Sequence, residues 1–282
     1  MKLFKYLSNE RIDILEKCRI RFSQPNAFND PFEFLPSITS IDTPANLDKA
    51  WNQLINENIE NVWEALSNEQ KNNLPKQEFM EYVYSDIDIE LTNIHKRMSE
   101  IGALARHKIY ETANSNIGVL SLTEKGNNLL MWAHYADSHT GYCIAFDTSH
   151  SFFHRKESDL DELRHPRKVI YRDERPKTTL KQLEGAELLL TKSTHWEYED
   201  EWRMCMPLSD AEEVIETGTD NVYLFKFPET AILEVILGAN ATDTLTNSVK
   251  EAIKSNPALK HVVIKKARIH DSRYELEFDE VS

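Results

Sequence analysis

IGVLSLT, residues 117–123, is where the chain changes its hydrophobic period. Before it, apolar residues return at helical spacing; from it onward they alternate or run together as in strands. Upstream, Leu47, Trp51, Leu54, Ile55, Ile59, Val62, Trp63 and Leu66 form one stripe, and Phe79, Tyr82, Val83, Ile87, Leu91, Ile94, Met98 and Ile101 a second. Pro75 suits the first turn of the second helix. The pattern predicts an antiparallel helical pair over about 42–112, inserted as a layer between strand-rich halves. Downstream, YCIAFD (142–147), VIYRD (169–173), EWRMCMPL (201–208), VYLFKF (222–227), ILEVILG (232–238), HVVIKKARI (261–269) and RYELEF (273–278) read as strands. Residues 179–192 and 242–255 read as helices. Near the start, LFKYLS (3–8) and RIRFS (19–23) are short strands around a helix that Ser8 or Asn9 caps and that ends near Cys18. Many short strands with few β-α-β units give an α+β fold with small mixed or antiparallel sheets around a cleft. With no clear linker or repeat, residues 1–282 are expected to form a single domain.

The chain has 282 residues, 40% hydrophobic and 28% charged, with 7 glycines, 10 prolines and a formal net charge of −14. That charge disfavours nucleic acid as a partner. Cys18, Cys143 and Cys205 are odd in number and widely spaced, which fits a reducing cytoplasm better than a disulfide framework. No apolar run approaches the roughly 20 residues of a membrane helix, and MKLFKYLSNERID lacks a signal-peptide core. The expectation is a cytoplasmic protein with no membrane partner.

Three segments carry chemistry. WEYEDEWR (196–203) packs four carboxylates, three aromatics and an arginine into eight residues. Read as extended, it places Trp196, Tyr198, Asp200 and Trp202 on one face and Glu197, Glu199, Glu201 and Arg203 on the other. Read as a helical turn, Glu199 and Arg203 form an i,i+4 pair. FSQPNAFNDPFEF (22–34) has two X-Pro steps and the short polar pair Asn29-Asp30, with Phe28, Phe32 and Phe34 as anchors: an ordered loop fit to be a ligand rim. LLMWAHYADSHTGYCIAFD (129–147) puts His134 and Tyr135 at the end of a short helix. His134 and His139 lack the spacing of a helical zinc pair, and His150 and His154 have no acidic partner motif. GxGxxG, GxxxxGK[ST] and GxSxG are absent. The basic stretch HPRKVIYRDERPK (165–177) is interleaved with acids and reads as a solvated edge.

Together, LFKYLS, RFSQPNAFNDPFEF, LLMWAHYADSHTGYCIAFD and WEYEDEWR resemble the bacterial domain-of-unknown-function family 2971. More distantly, the strand–helix–strand opening that enters an ordered loop is similar to the start of ADP-ribosyltransferase-like folds. That resemblance implies an NAD-using enzyme of toxin or phage-defence type, acting on a small-molecule nucleotide and an unknown acceptor. It implies Glu201 and Glu199 as catalytic carboxylates, and Lys5, Tyr6, Ser23, Asn29, Asp30, Trp132, His134, Tyr135, Trp196 and Arg203 as substrate-binding groups, with no metal. The first strand departs from that pattern, with Lys-Tyr where the superfamily has His or Arg, and no S-T-S triplet is present. Two other readings stay open. One is a metal-dependent nuclease or phosphoryl-transfer enzyme with Glu199, Glu201, Asp30 and His134 around a divalent ion. The other is a non-catalytic sensing or interaction module.

Overall fold

The computed structural model describes residues 1–218 and 220–281, with the side chain of residue 88 outside that description. The chain opens with β1 (Lys2–Leu7), a 3-10 turn, α1 (Asp13–Lys17) and β2 (Arg19–Phe22). β3 (Ser37–Ser40) precedes α2 (Pro44–Ala65), α3 (Asn68–Asn73) and α4 (Lys76–Asn116). β4 (Ile117–Thr123) follows at once, then α5 (Leu129–Tyr135) and β5 (Tyr142–Asp147). Next come β6 (Pro166–Lys168), β7 (Ile170–Arg172), β8 (Lys177–Thr179), α6 (Gly185–Leu190) and β9 (Thr191–Ser193). β10 (Glu201–Pro207), β11 (Glu213–Ile215), β12 (Val222–Lys226), β13 (Ile232–Leu237), α7 (Asp243–Ser255), β14 (Val263–Ile269) and β15 (Leu276–Glu280) complete the chain. The fold is α+β.

The described chain divides into two compact units. The first holds Met1–Phe34, Thr112–Glu174 and Leu189–Ser282, the second Leu35–Glu111 and Arg175–Leu188. The first unit is built on an eight-stranded sheet in the order β15-β14-β13-β5-β1-β4-β10-β6. All its pairings are antiparallel except β13–β14, which α7 connects, as a parallel pair needs a long crossover. α7 forms because Thr242 caps it by accepting from the Leu245 N–H, while Leu245, Val249, Ala252 and Ile253 make one apolar stripe. That stripe, with Ile14 and Leu15 of α1 and Phe22 and Phe225, covers the sheet face bearing Leu3, Leu7, Leu122 and Met204. The opposite face, with Tyr6, Cys143 and Ile236, packs under Met131 and Trp132 of α5.

The second unit holds the expected helical pair. Lys76–Glu60 (2.7 Å), Tyr84–Asn56 (3.3 Å) and His95–Asp48 (2.7 Å) show α4 running antiparallel to α2. Their seam centres on Ile59, Trp63 and Phe79, the last two rings 5.2 Å apart. Trp63→Ala is expected to lower stability by about 3 kcal/mol, read as a lower first transition in a thermal circular-dichroism melt.

Three local expectations are corrected. Residues 179–192 do not make one helix: only Gly185–Leu190 is helical, between strands β8 and β9. The apolar run Leu188–Leu190 stays helical, and pairing of Thr191–Ser193 with β7 ends the helix there. Ser8 makes no side-chain cap bond, and α1 starts at Asp13, after a 3-10 turn at Asn9–Arg11. Neither of the two readings of 196–203 holds throughout: Thr194–Glu199 is a 3-10 helix, and the extended strand β10 begins only at Glu201.

Candidate functional site

The central sheet is split. β1 pairs with β5 along all six of its residues, but with β4 only at Phe4↔Thr123. Beyond that point β4 turns to another partner. Val119 bridges Ser23, each N–H donating to the other's carbonyl at 2.8 and 2.9 Å. The strands therefore diverge, and Nζ of Lys5 crosses the gap to donate to the Ser121 carbonyl at 3.0 Å.

A cavity of about 420 Å³ opens at this split. β1 and the turn after it contribute Lys5, Tyr6, Ser8 and Arg11. The Ser23–Glu33 loop contributes Ser23, Phe28, Asn29, Asp30 and Glu33. The loop is folded by its own side chain, since Asp30 Oδ1 accepts from the Phe32 N–H at 2.9 Å. Ser121 and Thr123 come from β4, His134 and Tyr135 from the end of α5, and Lys192, Trp196, Glu199 and Glu201 from the β9–β10 connection.

The floor is a buried cluster of three carboxylates and two cations. Lys192 Nζ lies 2.6 Å from Glu199, 3.0 Å from Glu201 and 3.1 Å from Glu33. Arg203 holds Glu201 in a fork, Nε to Oε1 at 2.8 Å and Nη2 to Oε2 at 3.0 Å. It also pairs with Glu33 and donates to the Leu189 carbonyl at 2.8 Å. Phe28 and Phe34 each place a ring 5.3 Å from the guanidinium carbon, which explains why the loop's aromatics are anchored there. Glu199 has a second partner: Tyr135 donates its hydroxyl to Oε1 at 2.6 Å. The two glutamates meet at Lys192 because Asp200, with φ 42° and ψ 51°, joins the 3-10 helix to β10 through a left-handed residue.

Burial disfavours every charge in this cluster, and the pairing decides each case. Burial alone would raise Glu201, but Arg203 and Lys192 hold it at about 2. Burial would lower Lys192, but Glu201, Glu33 and Glu199 push it above the ordinary lysine value. Arg203 is raised by Glu201 and Glu33 against the same penalty. At Glu33 burial outweighs both cations and pushes the carboxyl up. Three acids face two bases, so Glu33 is the group most ready to take a proton. Tyr135 is raised by burial and then by Glu199, so its hydroxyl stays a donor.

Of the residues singled out in the sequence, Lys5, Tyr6, Ser23, Asn29, Asp30, His134, Tyr135, Trp196, Glu199 and Glu201 line this one cavity. Two do not. Trp132 is fully buried beneath α5, its Nε1 donating to the Gly126 carbonyl at 3.0 Å and its ring 5.1 Å edge-on from Tyr6. Arg203, also fully buried, lies behind the glutamates. The anticipated Glu199–Arg203 pair is replaced by Glu199–Lys192. Glu33 and Lys192 were missed. Glu33 had a faint signal, lying beside the anchoring Phe34; Phe32, expected as a third anchor, is instead 60% exposed, and Lys192, in LLLTKST, had no signal. Among the described residues no group of three or more His, Cys, Asp or Glu is arranged to hold a metal ion, and no helix is long and apolar enough to cross a membrane.

No curated protein and no solved structure gives a significant match to the chain. Residues 131–204, which carry Tyr135, Lys192, Trp196, Glu199, Glu201 and Arg203, match the model of the family described as "Protein of unknown function (DUF2971)", and it is this segment that is similar to that family.

Proposed function

We propose that the cavity binds NAD and cleaves its nicotinamide–ribose bond, passing the ADP-ribosyl group to an acceptor hydroxyl, amine or water. The observation that carries this reading is the pair Glu199 and Glu201, held as neighbours by Lys192 at the floor of a cavity edged by the rings of Phe28, Tyr135 and Trp196. Its volume of about 420 Å³ lies within the range of small-molecule sites.

Hydrogen-bond counting divides the roles of the two acids. Glu201 accepts from Arg203 twice and from Lys192, which leaves it little capacity for substrate. Glu199 accepts once on each oxygen, from Tyr135 and Lys192, and keeps a lone pair on each for a ribose hydroxyl. Glu199 is therefore the carboxylate that faces the sugar, and Glu201 the group that positions it through Lys192. In the reaction the C1–N bond breaks, nicotinamide leaves with the electron pair, and positive charge builds on the ribose. A fixed carboxylate stabilises that charge. The acceptor then bonds to C1 and gives up its proton. Trp196 and Phe28 offer faces on which a planar base stacks.

The nuclease reading has less support, because the carboxylate oxygens it needs already face an ammonium and a guanidinium. The test is to incubate the protein with NAD, with and without cell extract, and to measure free nicotinamide. Release above a buffer blank is expected. No release under either condition overturns the reading.

A further inference from the structure

We infer that Lys5 is an amine nucleophile of this cavity, placed to capture the carbonyl carbon of a small polyhydroxylated aldehyde as an imine. The cavity contains two lysines in opposite circumstances. Lys192 sits among three carboxylates at 2.6–3.1 Å and is locked as an ammonium. Lys5 has no ion pair among the described residues; its Nζ donates to one neutral acceptor, the Ser121 carbonyl, at 3.0 Å. That single bond spans the gap between β1 and β4, so the nitrogen is held within the split, where Lys5 lines the cavity.

The charged and titratable groups around Lys5 are Glu199 at the end of the 3-10 helix, Glu201 at the start of β10, Arg11 in the turn after β1, and Cys143 on β5. Burial disfavours the ammonium and Arg11 adds to that, while the two glutamates and Cys143 oppose it. Burial wins, and Lys5 titrates at about 8. At pH 7 such an amine is roughly one-tenth neutral, several hundredfold more than an ordinary lysine, and a neutral, partly desolvated amine is what carbonyl capture requires.

The chemistry balances without a further reagent. The lone pair of Nζ bonds to the aldehyde carbon, and the carbonyl oxygen takes a proton to give a carbinolamine. Loss of that oxygen as water, with the second amine hydrogen, leaves C=N. The ligand class follows from the walls. Ser23, Asn29, Asp30 and Glu199 are hydroxyl-binding groups distributed around the space Lys5 faces, which suits an open-chain aldose better than an apolar aldehyde.

The experiment uses the full chain, glyceraldehyde as the probe and cyanoborohydride to reduce the imine, with sites and rates read by peptide mass mapping from pH 6 to 10. No NAD is present, so the outcome is independent of nicotinamide release. The expected result is an adduct at Lys5 that forms at pH 7 at least tenfold faster than at exposed lysines and rises with pH until it levels near 8. Mapping separates it from the α-amino group of Met1. Lys5→Arg keeps the positive charge and a donor for Ser121, and is expected to lose the adduct at that position while keeping the parent melting temperature. If that variant misfolds, the wild-type site map and pH profile decide. Labelling of Lys5 no faster than that of exposed lysines, or labelling that climbs steadily to pH 10, overturns the inference.

Discussion

Replacing Lys192 with methionine is expected to be among the most damaging single changes the first unit can suffer. It removes the one ammonium shared by Glu33, Glu199 and Glu201, all buried. Glu33 and Glu201 then share Arg203 alone, and Glu199 is left with the Tyr135 hydroxyl. Removing one partner of a buried ion pair typically costs 3–5 kcal/mol, and about 4 kcal/mol is expected here at pH 8. The pH dependence identifies the cause. In the wild type, Glu201 is held at about 2, below its unfolded value. Its contribution is therefore present at neutral pH and lost as pH falls from the ordinary carboxylate range toward 2. Glu33, raised by burial, works in the opposite direction. Without Lys192 the raised groups dominate: the folded state binds more protons than the unfolded one, and stability declines as pH rises. The loss in Lys192→Met should thus be smaller at pH 5 than at pH 8. Urea denaturation followed by circular dichroism at both pH values measures this. A variant as stable as the parent at pH 8 would show that the ammonium does not hold the carboxylates in place.

Glu199→Gln is expected to cut nicotinamide release by about 100-fold or more, in line with the loss of one preorganised electrostatic group. The amide keeps the shape: its oxygen accepts from Lys192, its NH2 donates to the Tyr135 hydroxyl, which turns to accept, and Lys192 retains Glu33 and Glu201, so folding should change by no more than about 1 kcal/mol. Activity and stability are thereby separated. The lone-pair argument predicts a contrast with Glu201→Gln. There the amide breaks the Arg203 fork, so stability and activity fall together. If Glu199→Gln retained full release while Glu201→Gln abolished it at unchanged melting temperature, the assignment of roles would be reversed. Kinetics on the two variants, with a melting curve for each, suffice.

Much of the fold was readable in sequence because it is local. The change of period at Ile117 marks the boundary between α4 and β4 to the residue. The stripes at 47–66 and 79–101 predicted the antiparallel pair, since helical spacing leaves little alternative for such a long run. Short apolar runs were less certain. Residues 179–192 hold both the start of a strand pair and six helical residues. Nothing in the side chains of Leu188–Ser193 marks where helix gives way to strand; the pairing of Thr191–Ser193 with distant β7 does.

At the site, sequence alone identified chemistry-bearing segments. An Asn-Asp-Pro turn among phenylalanines, a helix ending in His-Tyr and an acid-rich stretch before EWR were each visible from residue type. Their convergence on one cavity, and the partner of each acid, were decided by tertiary structure. Glu33 and Arg203 meet across 170 positions of chain. The left-handed Asp200 turns an alternating pattern into a shared clasp on Lys192, a residue with no mark of its own in the sequence. The physical reason is that a buried charge is defined by its partner. Residue type states that a carboxylate exists, but only packing determines which cation neutralises it and which lone pairs remain for a ligand.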